Sequence, residues 1–86
     1  KELDIVAEHQ GELVVVEVRT RRNQTYGTPE ESINEAKIRR IVSSADAYVR
    51  KFRIDLPVRF DILSLTGIAK PLKIEHIVNA FFPPIW

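Results

Sequence analysis

The sequence of 86 residues predicts a single α/β domain, residues 1–86, in which a helix flanks a mixed β-sheet. Three observations lead to this fold class. Two strand-like segments meet at a Gln10-Gly11 turn, a helical segment of 18 residues follows, and two more strand-like segments come after it. A strand, helix, strand order favours a right-handed crossover, so we expect the second and third strands to pair in parallel.

The first two segments, residues 3–9 and 12–20, alternate apolar with polar or mixed residues and predict a β-hairpin. A two-residue loop pairs positions whose numbers sum to 21, so Asp4 lies opposite Glu17 and Glu2 opposite Arg19. One face of the hairpin is then wholly apolar, and we expect it to pack under the helix. That face carries Leu3, Ile5, Ala7, Val14, Val16 and Val18.

The helical segment has two possible starts. The run 28–31 (Thr-Pro-Glu-Glu) is typical of a helix N-terminus, and Asn34 is a second possible cap. We therefore predict a short turn at 29–33 and the main helix over 35–52. Its apolar stripe consists of Ile38, Ile41, Val42, Ala45, Tyr48, Val49 and Phe52.

The remaining segments complete the sheet. Residues 58–65 and 72–78 are predicted as the third and fourth strands. The apolar tail, residues 81–86, is expected to pack back onto the domain, with a contact to a partner as the alternative.

Composition excludes several classes of protein. The chain has no Cys, which excludes a disulfide framework, a thiolate zinc site and a Cys nucleophile. Its longest apolar run, residues 13–16, is far shorter than the roughly 18–20 residues of a membrane span. We expect a cytoplasmic protein without membrane association. The chain has no Met and opens on a strand-like segment, so we expect further residues before Lys1.

Charge is distributed unevenly, although the net charge is only +1. Nine basic residues and four acidic ones lie between positions 19 and 53. A local excess of this size can attract a polyanion, or it can simply be the solvated face of a helix. The basic residues are Arg19, Arg21, Arg22, Lys37, Arg39, Arg40, Arg50, Lys51 and Arg53.

The hairpin register concentrates acidic residues at one end. Asp4 and Glu17 lie directly opposite, with Cβ atoms about 4.5–5.5 Å apart, a mutually unfavourable placement that a divalent cation would relieve. Mg²⁺ prefers one or two carboxylates together with waters and phosphate oxygens. Arg19 follows on the same face, and a metal beside a fixed cation suits phosphodiester hydrolysis. Two solvated acids beside a Glu2–Arg19 ion pair are the alternative.

These residues also carry a resemblance. The segments 2–7 (ELDIVA) and 15–21 (VVEVRTR) resemble the YraN-type family of uncharacterised bacterial proteins, predicted nucleases distantly similar to archaeal Holliday-junction resolvases. Further similar segments extend along nearly the whole chain in the same order. They are 26–30 (YGTPE), 37–40 (KIRR), 45–48 (ADAY), 59–62 (RFDI) and 74–81 (IEHIVNAF).

The resemblance implies a PD-(D/E)XK nuclease-like core, a restriction-endonuclease-like fold whose amino-terminal helix and first strand are missing from this chain. It implies that Asp4 and Glu17 are catalytic and bind Mg²⁺ or Mn²⁺, with the carbonyl of Val18 as a further ligand. Arg19 occupies the position of the motif's usual Lys. Arginine stabilises charge but cannot act as a general base, so this departure puts the catalytic rate in doubt.

By the same resemblance the expected activity is endonucleolytic hydrolysis of DNA, possibly branched DNA, and a homodimer is possible. The expected nucleic-acid contacts are Arg21, Arg22, Tyr26, Lys37, Arg39 and Arg40. Asp61, His76 and Asn79 are interpreted as structural. Two other functions stay open: a catalytically impaired nucleic-acid-binding protein of the same fold, and a protein-interaction module without a nucleic-acid role.

Overall fold

The computed structural model describes residues 3–22 and 33–83, which form a four-stranded mixed sheet and one helix. In chain order the elements are β1 (Ile5–His9), β2 (Glu12–Arg21), α1 (Glu35–Phe52), β3 (Val58–Thr66) and β4 (Lys73–Ile77). The strands lie in the order β1-β2-β3-β4, with β2 and β3 parallel and the other two pairs antiparallel. The predicted α/β class and the parallel central pair are confirmed, and the architecture is compatible with a nuclease-like core.

The hairpin register agrees with the prediction from parity. Ile5 pairs with Val16 and His9 with Glu12, so the numbers of the paired residues sum to 21, as predicted. Gln10 and Gly11 both have positive φ angles, 52° and 80°. Positive φ at both central residues is typical of the type I′ turns that close two-residue hairpins.

Helix α1 begins at its predicted second cap. The side chain of Asn34 accepts a hydrogen bond of 2.8 Å from the Lys37 N–H, which satisfies one of the free donors of the first turn. At the other end Arg53 adopts a left-handed conformation, with φ 53°, and its N–H donates to the carbonyl of Arg50. The predicted turn at 29–33 lies, except for Ile33, outside the described residues.

The face on which α1 packs differs from the prediction. The core cluster joins Val15 of β2 to Ile41 and Ala45 of α1, so the helix covers the hairpin face that also carries Glu17. Ile5, from the wholly apolar set, is 42% exposed on the opposite side. Parity decides which residues share a face, whereas the hand of the β2–α1–β3 connection decides which face the helix covers.

Strand β3 supplies the centre of this core. Phe60 and Ile62 are buried against α1, and the ring of Phe60 stacks on Phe81 with a centroid distance of 5.2 Å. The first tail residue therefore packs back onto the domain as expected, while Phe82 is exposed and residues 84–86 lie outside the described part. No helix in the described ranges is long and apolar enough to cross a membrane.

Candidate metal and nucleic-acid site

Asp4 lies at the bend that leads into β1, and its side chain continues the hairpin ladder. Oδ2 of Asp4 accepts a hydrogen bond of 2.9 Å from the backbone N–H of Val18. The carboxylate therefore lies against the residue that follows Glu17 in β2. The two acids predicted to meet across the hairpin are held at the same end of it.

Glu17 is a buried carboxylate, with only 8% of the residue exposed. Two cations lie beside its Oε2 atom: Nζ of Lys37 at 3.3 Å and Nη1 of Arg19 at 3.8 Å. Because α1 packs over this face, the first turn of the helix brings Lys37 to the strand. A buried charge needs a partner, and these two cations supply it.

The donor set is suited to a hard divalent ion. Mg²⁺ needs few protein ligands, because waters and substrate phosphates complete its octahedral shell. The side chains that would hold such an ion are the carboxylates of Asp4 and Glu17, and the predicted third ligand is the main-chain carbonyl of Val18. No cluster of three or more His, Asp or Glu side chains occurs among residues 3–22 and 33–83, so an all-protein cage is absent from that part. The Lys37 ammonium, 3.3 Å from Glu17 Oε2, would compete with such an ion for this oxygen, and its side chain is partly exposed to solvent.

A serine hydroxyl extends this face toward β3. Ser64 lies in register with Arg19 on the neighbouring parallel strand, and it shares the helix-facing side with Phe60 and Ile62. It is only 1% exposed, and its Oγ has no hydrogen-bond partner in the described part of the chain. Buried hydroxyls normally have a partner, so Ser64 leaves a donor and acceptor available beside Arg19.

The remaining predicted nucleic-acid residues are only partly gathered here. Arg40 is exposed one turn along α1 from Lys37, which places both cations on adjacent positions of the helix surface. Arg39 makes a 3.0 Å ion pair with Glu35. Arg21 ends β2 and Arg22 follows it, exposed, whereas Tyr26 and Glu2 lie outside the described residues.

A second ionic cluster lies on the other face of the sheet, centred on Asp61. Its carboxylate accepts hydrogen bonds from Nε and Nη2 of Arg59, at 3.0 and 2.9 Å, and from the Asn79 N–H at 3.1 Å. Nε2 of His76 lies 2.8 Å from Oδ2. Asp61 is completely buried and, as interpreted from its position in the strand, is a hydrogen-bonded acid that ties β3 to β4 and the segment after it.

This cluster also sets the titration of its central acid. Burial alone would raise the pKa of Asp61, but hydrogen bonds from Arg59, His76 and the Asn79 N–H outweigh it, and the pKa lies below the ordinary 3.8. The hydrogen bond to Asp61, followed by the contact with Glu12, raises the pKa of Arg59. The acid stays ionised and fully engaged, which is typical of a structural carboxylate.

Sequence reasoning did not predict two features of the first site. Lys37, which stays a predicted nucleic-acid contact, also lies against Glu17, and Ser64 was not singled out at all. The signal for Lys37 was its place in the first turn after the Asn34 cap, combined with the side of the sheet that α1 covers. No sequence signal distinguishes Ser64 from any other strand serine.

Comparison with known proteins places the chain in a family. The model of the uncharacterised protein family UPF0102 matches residues 1–65. A UPF0102 protein of Phocaeicola vulgatus is 60% identical over 86 residues, which cover all of this chain and 71% of the relative. One from Bacteroides thetaiotaomicron is 51% identical over 99% of this chain and 70% of its own length. A relative in Flavobacterium psychrophilum is 40% identical over 94% of the chain and 68% of its own length.

The match to the Phocaeicola vulgatus relative covers the whole described fold, from the hairpin that carries Asp4 and Glu17 to the segment beyond β4, whereas the family model ends within β3, at residue 65. They also confirm the predicted YraN-type resemblance. The chain belongs to the uncharacterised protein family UPF0102.

Proposed function

We propose that this chain forms the core of a metal-dependent DNA endonuclease, in which Asp4 and Glu17 hold Mg²⁺ or Mn²⁺. The observation that carries the proposal is the surroundings of Glu17. This buried carboxylate has Lys37 Nζ at 3.3 Å and Arg19 Nη1 at 3.8 Å. A second carboxylate, that of Asp4, accepts a hydrogen bond from the N–H of Val18, the next residue in the strand. Carboxylates and fixed cations side by side match the needs of phosphodiester hydrolysis.

Each side chain has a separate task in this reaction. When bound, the metal ion supplies Lewis-acid activation of water and neutralises phosphate charge. Arg19 presents a planar fork to a phosphate oxygen, and Lys37 offers a mobile point charge. The water oxygen bonds to phosphorus and releases a proton to solvent, one P–O bond of the DNA backbone breaks, and the departing oxygen takes up a proton from solvent.

Arg19 supports a second candidate, a nucleic-acid-binding protein of the same fold that cuts slowly or not at all. A guanidinium stays protonated and cannot accept a proton from the attacking water. Such a protein keeps the cationic surface around Lys37 and Arg40 and binds DNA with a steep dependence on salt.

One assay separates these functions. The full-length protein is incubated with linear, single-stranded, flapped and four-way-junction DNA, in Mg²⁺, Mn²⁺ or EDTA. Cutting that requires the metal supports the nuclease, and salt-sensitive binding without cutting supports the impaired binder. If the protein neither cuts nor binds DNA, the nucleic-acid proposal is overturned and the protein-interaction module is the function that stays open.

Lys37→Met is expected to tighten Mn²⁺ binding by a few-fold. The ammonium lies 3.3 Å from Glu17 Oε2, so it both repels the metal and competes for the same carboxylate oxygen. Methionine keeps the apolar stem of the side chain and removes the charge. Isothermal titration calorimetry with Mn²⁺ measures the change in Kd.

The matched control for Lys37→Met is Lys51→Met. Both variants remove one lysine charge from α1, but Lys51 lies in the last turn, about 21 Å along the helix axis from Lys37. We expect the Kd of Lys51→Met to equal that of the wild type. Equal tightening in both variants would show that net charge, not the contact with Glu17, governs the affinity.

Arg40→Gln is expected to reduce the salt dependence of DNA binding. If Arg40 neutralises one phosphate, the slope of log K against log salt concentration falls by about 0.9 for duplex DNA. Fluorescence anisotropy across a salt series measures the slope. Arg50→Gln, which removes an exposed arginine paired with Asp46 at the far end of α1, should leave the slope unchanged. An unchanged slope in Arg40→Gln would remove this part of the helix from the DNA surface.

A further inference from the structure

Strand β4 forms one edge of the described sheet and carries exposed apolar side chains. Ile74 is 66% exposed and Leu72 is 37% exposed. Both line an open depression of about 580 Å³ together with Lys70 and Pro71. Within residues 3–22 and 33–83 no strand lies beyond β4, and a sheet edge offers main-chain N–H and C=O groups to a further strand.

We propose that β4 pairs antiparallel with β4 of a second copy of this chain, about a two-fold axis at Ile74. The two sheets then join into one continuous sheet across the dimer. This inference goes beyond the endonuclease proposal and does not depend on it, because it uses only the edge strand and its side chains.

The register follows from strand geometry and charge. Along an edge strand, every second residue turns its main-chain N–H and C=O groups outward. In a pair of such strands, facing residues must therefore be both even-numbered or both odd-numbered. A symmetric antiparallel pair of identical strands then has one central residue that lies opposite its own copy. Centring on Lys73 or on Glu75 places that charged residue against its own copy. Centring on Ile74 places Lys73 opposite the partner's Glu75, twice in the dimer. Opposite charges at facing positions stabilise a strand pair, and like charges destabilise it.

The two faces of this pair are also matched. Ile74 lies opposite Leu65 in β3, and Glu75 lies opposite Ser64, so Ile74 turns away from α1 and Glu75 turns to the side of α1. The two ion pairs therefore form on the helix side, while Ile74 and its copy meet on the other face. Such a self-complementary patch is what a two-fold symmetric interface requires.

Centring on His76 lacks this complementarity. It places Glu75 opposite the partner's Ile77, without a cation, and sets the two His76 side chains against each other. His76 is also engaged by Asp61. Lysine on an exposed edge normally discourages pairing with other strands, and the Ile74-centred register removes that obstacle by giving each Lys73 a carboxylate.

The test is a charge reversal followed by mixing, read by sedimentation velocity over a concentration series of the full-length protein. Lys73→Glu and Glu75→Lys should each weaken the dimer by about tenfold or more, since two attractive pairs become repulsive. An equimolar mixture of the two variants should form a heterodimer, because every facing pair is again opposite in charge. The double variant should dimerise like the wild type.

Two controls make the result specific. Glu8→Lys changes an exposed charge on β1, at the other edge of the described sheet, and should leave the dimer unchanged. Ile74→Lys should abolish it. A wild-type protein that stays monomeric throughout the series would overturn the proposal. So would a dimer that survives both single charge reversals, because its interface would lie elsewhere.

Discussion

Glu17→Gln is expected to lower metal-dependent DNA cleavage about a thousandfold or more. The substitution keeps the size of the side chain but removes the charge that a divalent ion requires, and loss of several kcal/mol of transition-state stabilisation has this effect on rate. Mn²⁺ binding should be lost together with cleavage. DNA binding should persist, because Arg19, Lys37 and Arg40 all remain.

The control for this prediction lies on the same hairpin. Glu8 is an exposed carboxylate near the turn, on the same face as Glu17 by parity, and it is distant from Asp4 along the strand. Glu8→Gln should keep full cleavage and Mn²⁺ affinity. Thermal unfolding of both variants checks that the fold is intact. Undiminished cleavage by a folded Glu17→Gln protein would exclude Glu17 as a metal ligand and contradict the nuclease proposal at this site.

Several parts of the fold could be predicted because local rules determine them. A two-residue turn at Gln10-Gly11 leaves only one register that separates apolar from mixed positions, and the observed pairing follows it. Asn34 is a favourable cap, and α1 begins directly after it. The long helix between two strands required a crossover, which β2 and β3 make as a parallel pair.

The side of the sheet that α1 covers could not be predicted from the same patterns. The wholly apolar hairpin face looked suited to burial, yet α1 packs on the face that carries Val15 and Glu17. On that face the core also includes Phe60 and Ile62, which belong to β3 and are distant in sequence. The same long-range packing brings Lys37 to Glu17, so the spacing of residues in the sequence could not predict this contact either.

Asp61→Asn is expected to lower the free energy of unfolding by about 2–3 kcal/mol. Asp61 is completely buried and accepts four hydrogen bonds, two from Arg59 and one each from His76 and the Asn79 N–H. An amide replaces one acceptor oxygen by a donor NH₂, which then faces other donors. The Arg59 guanidinium loses its buried counter-ion and keeps only the ion pair of 3.2 Å with Glu12. Urea denaturation followed by circular dichroism measures the loss.

An exposed acid provides the comparison. Asp46 pairs with Arg50 at 3.2 Å on the surface of α1, and more than half of its side chain is exposed. Asp46→Asn should change the free energy of unfolding by no more than about 0.5 kcal/mol. Equal losses in the two variants would show that removal of a negative charge, not the buried network, accounts for the effect.

Acid should remove the difference between the wild type and Asp61→Asn. The folded-state pKa of Asp61 lies below 3.8 because the hydrogen bonds from Arg59, His76 and Asn79 outweigh its burial. A depressed carboxylate pKa stabilises the folded state fully above the unfolded-state value, and this contribution disappears as the pH falls through the folded-state value. The wild type should therefore lose stability more steeply than the variant below about pH 4. Parallel stability curves for the two proteins in that range would show that the Asp61 network does not contribute to acid unfolding.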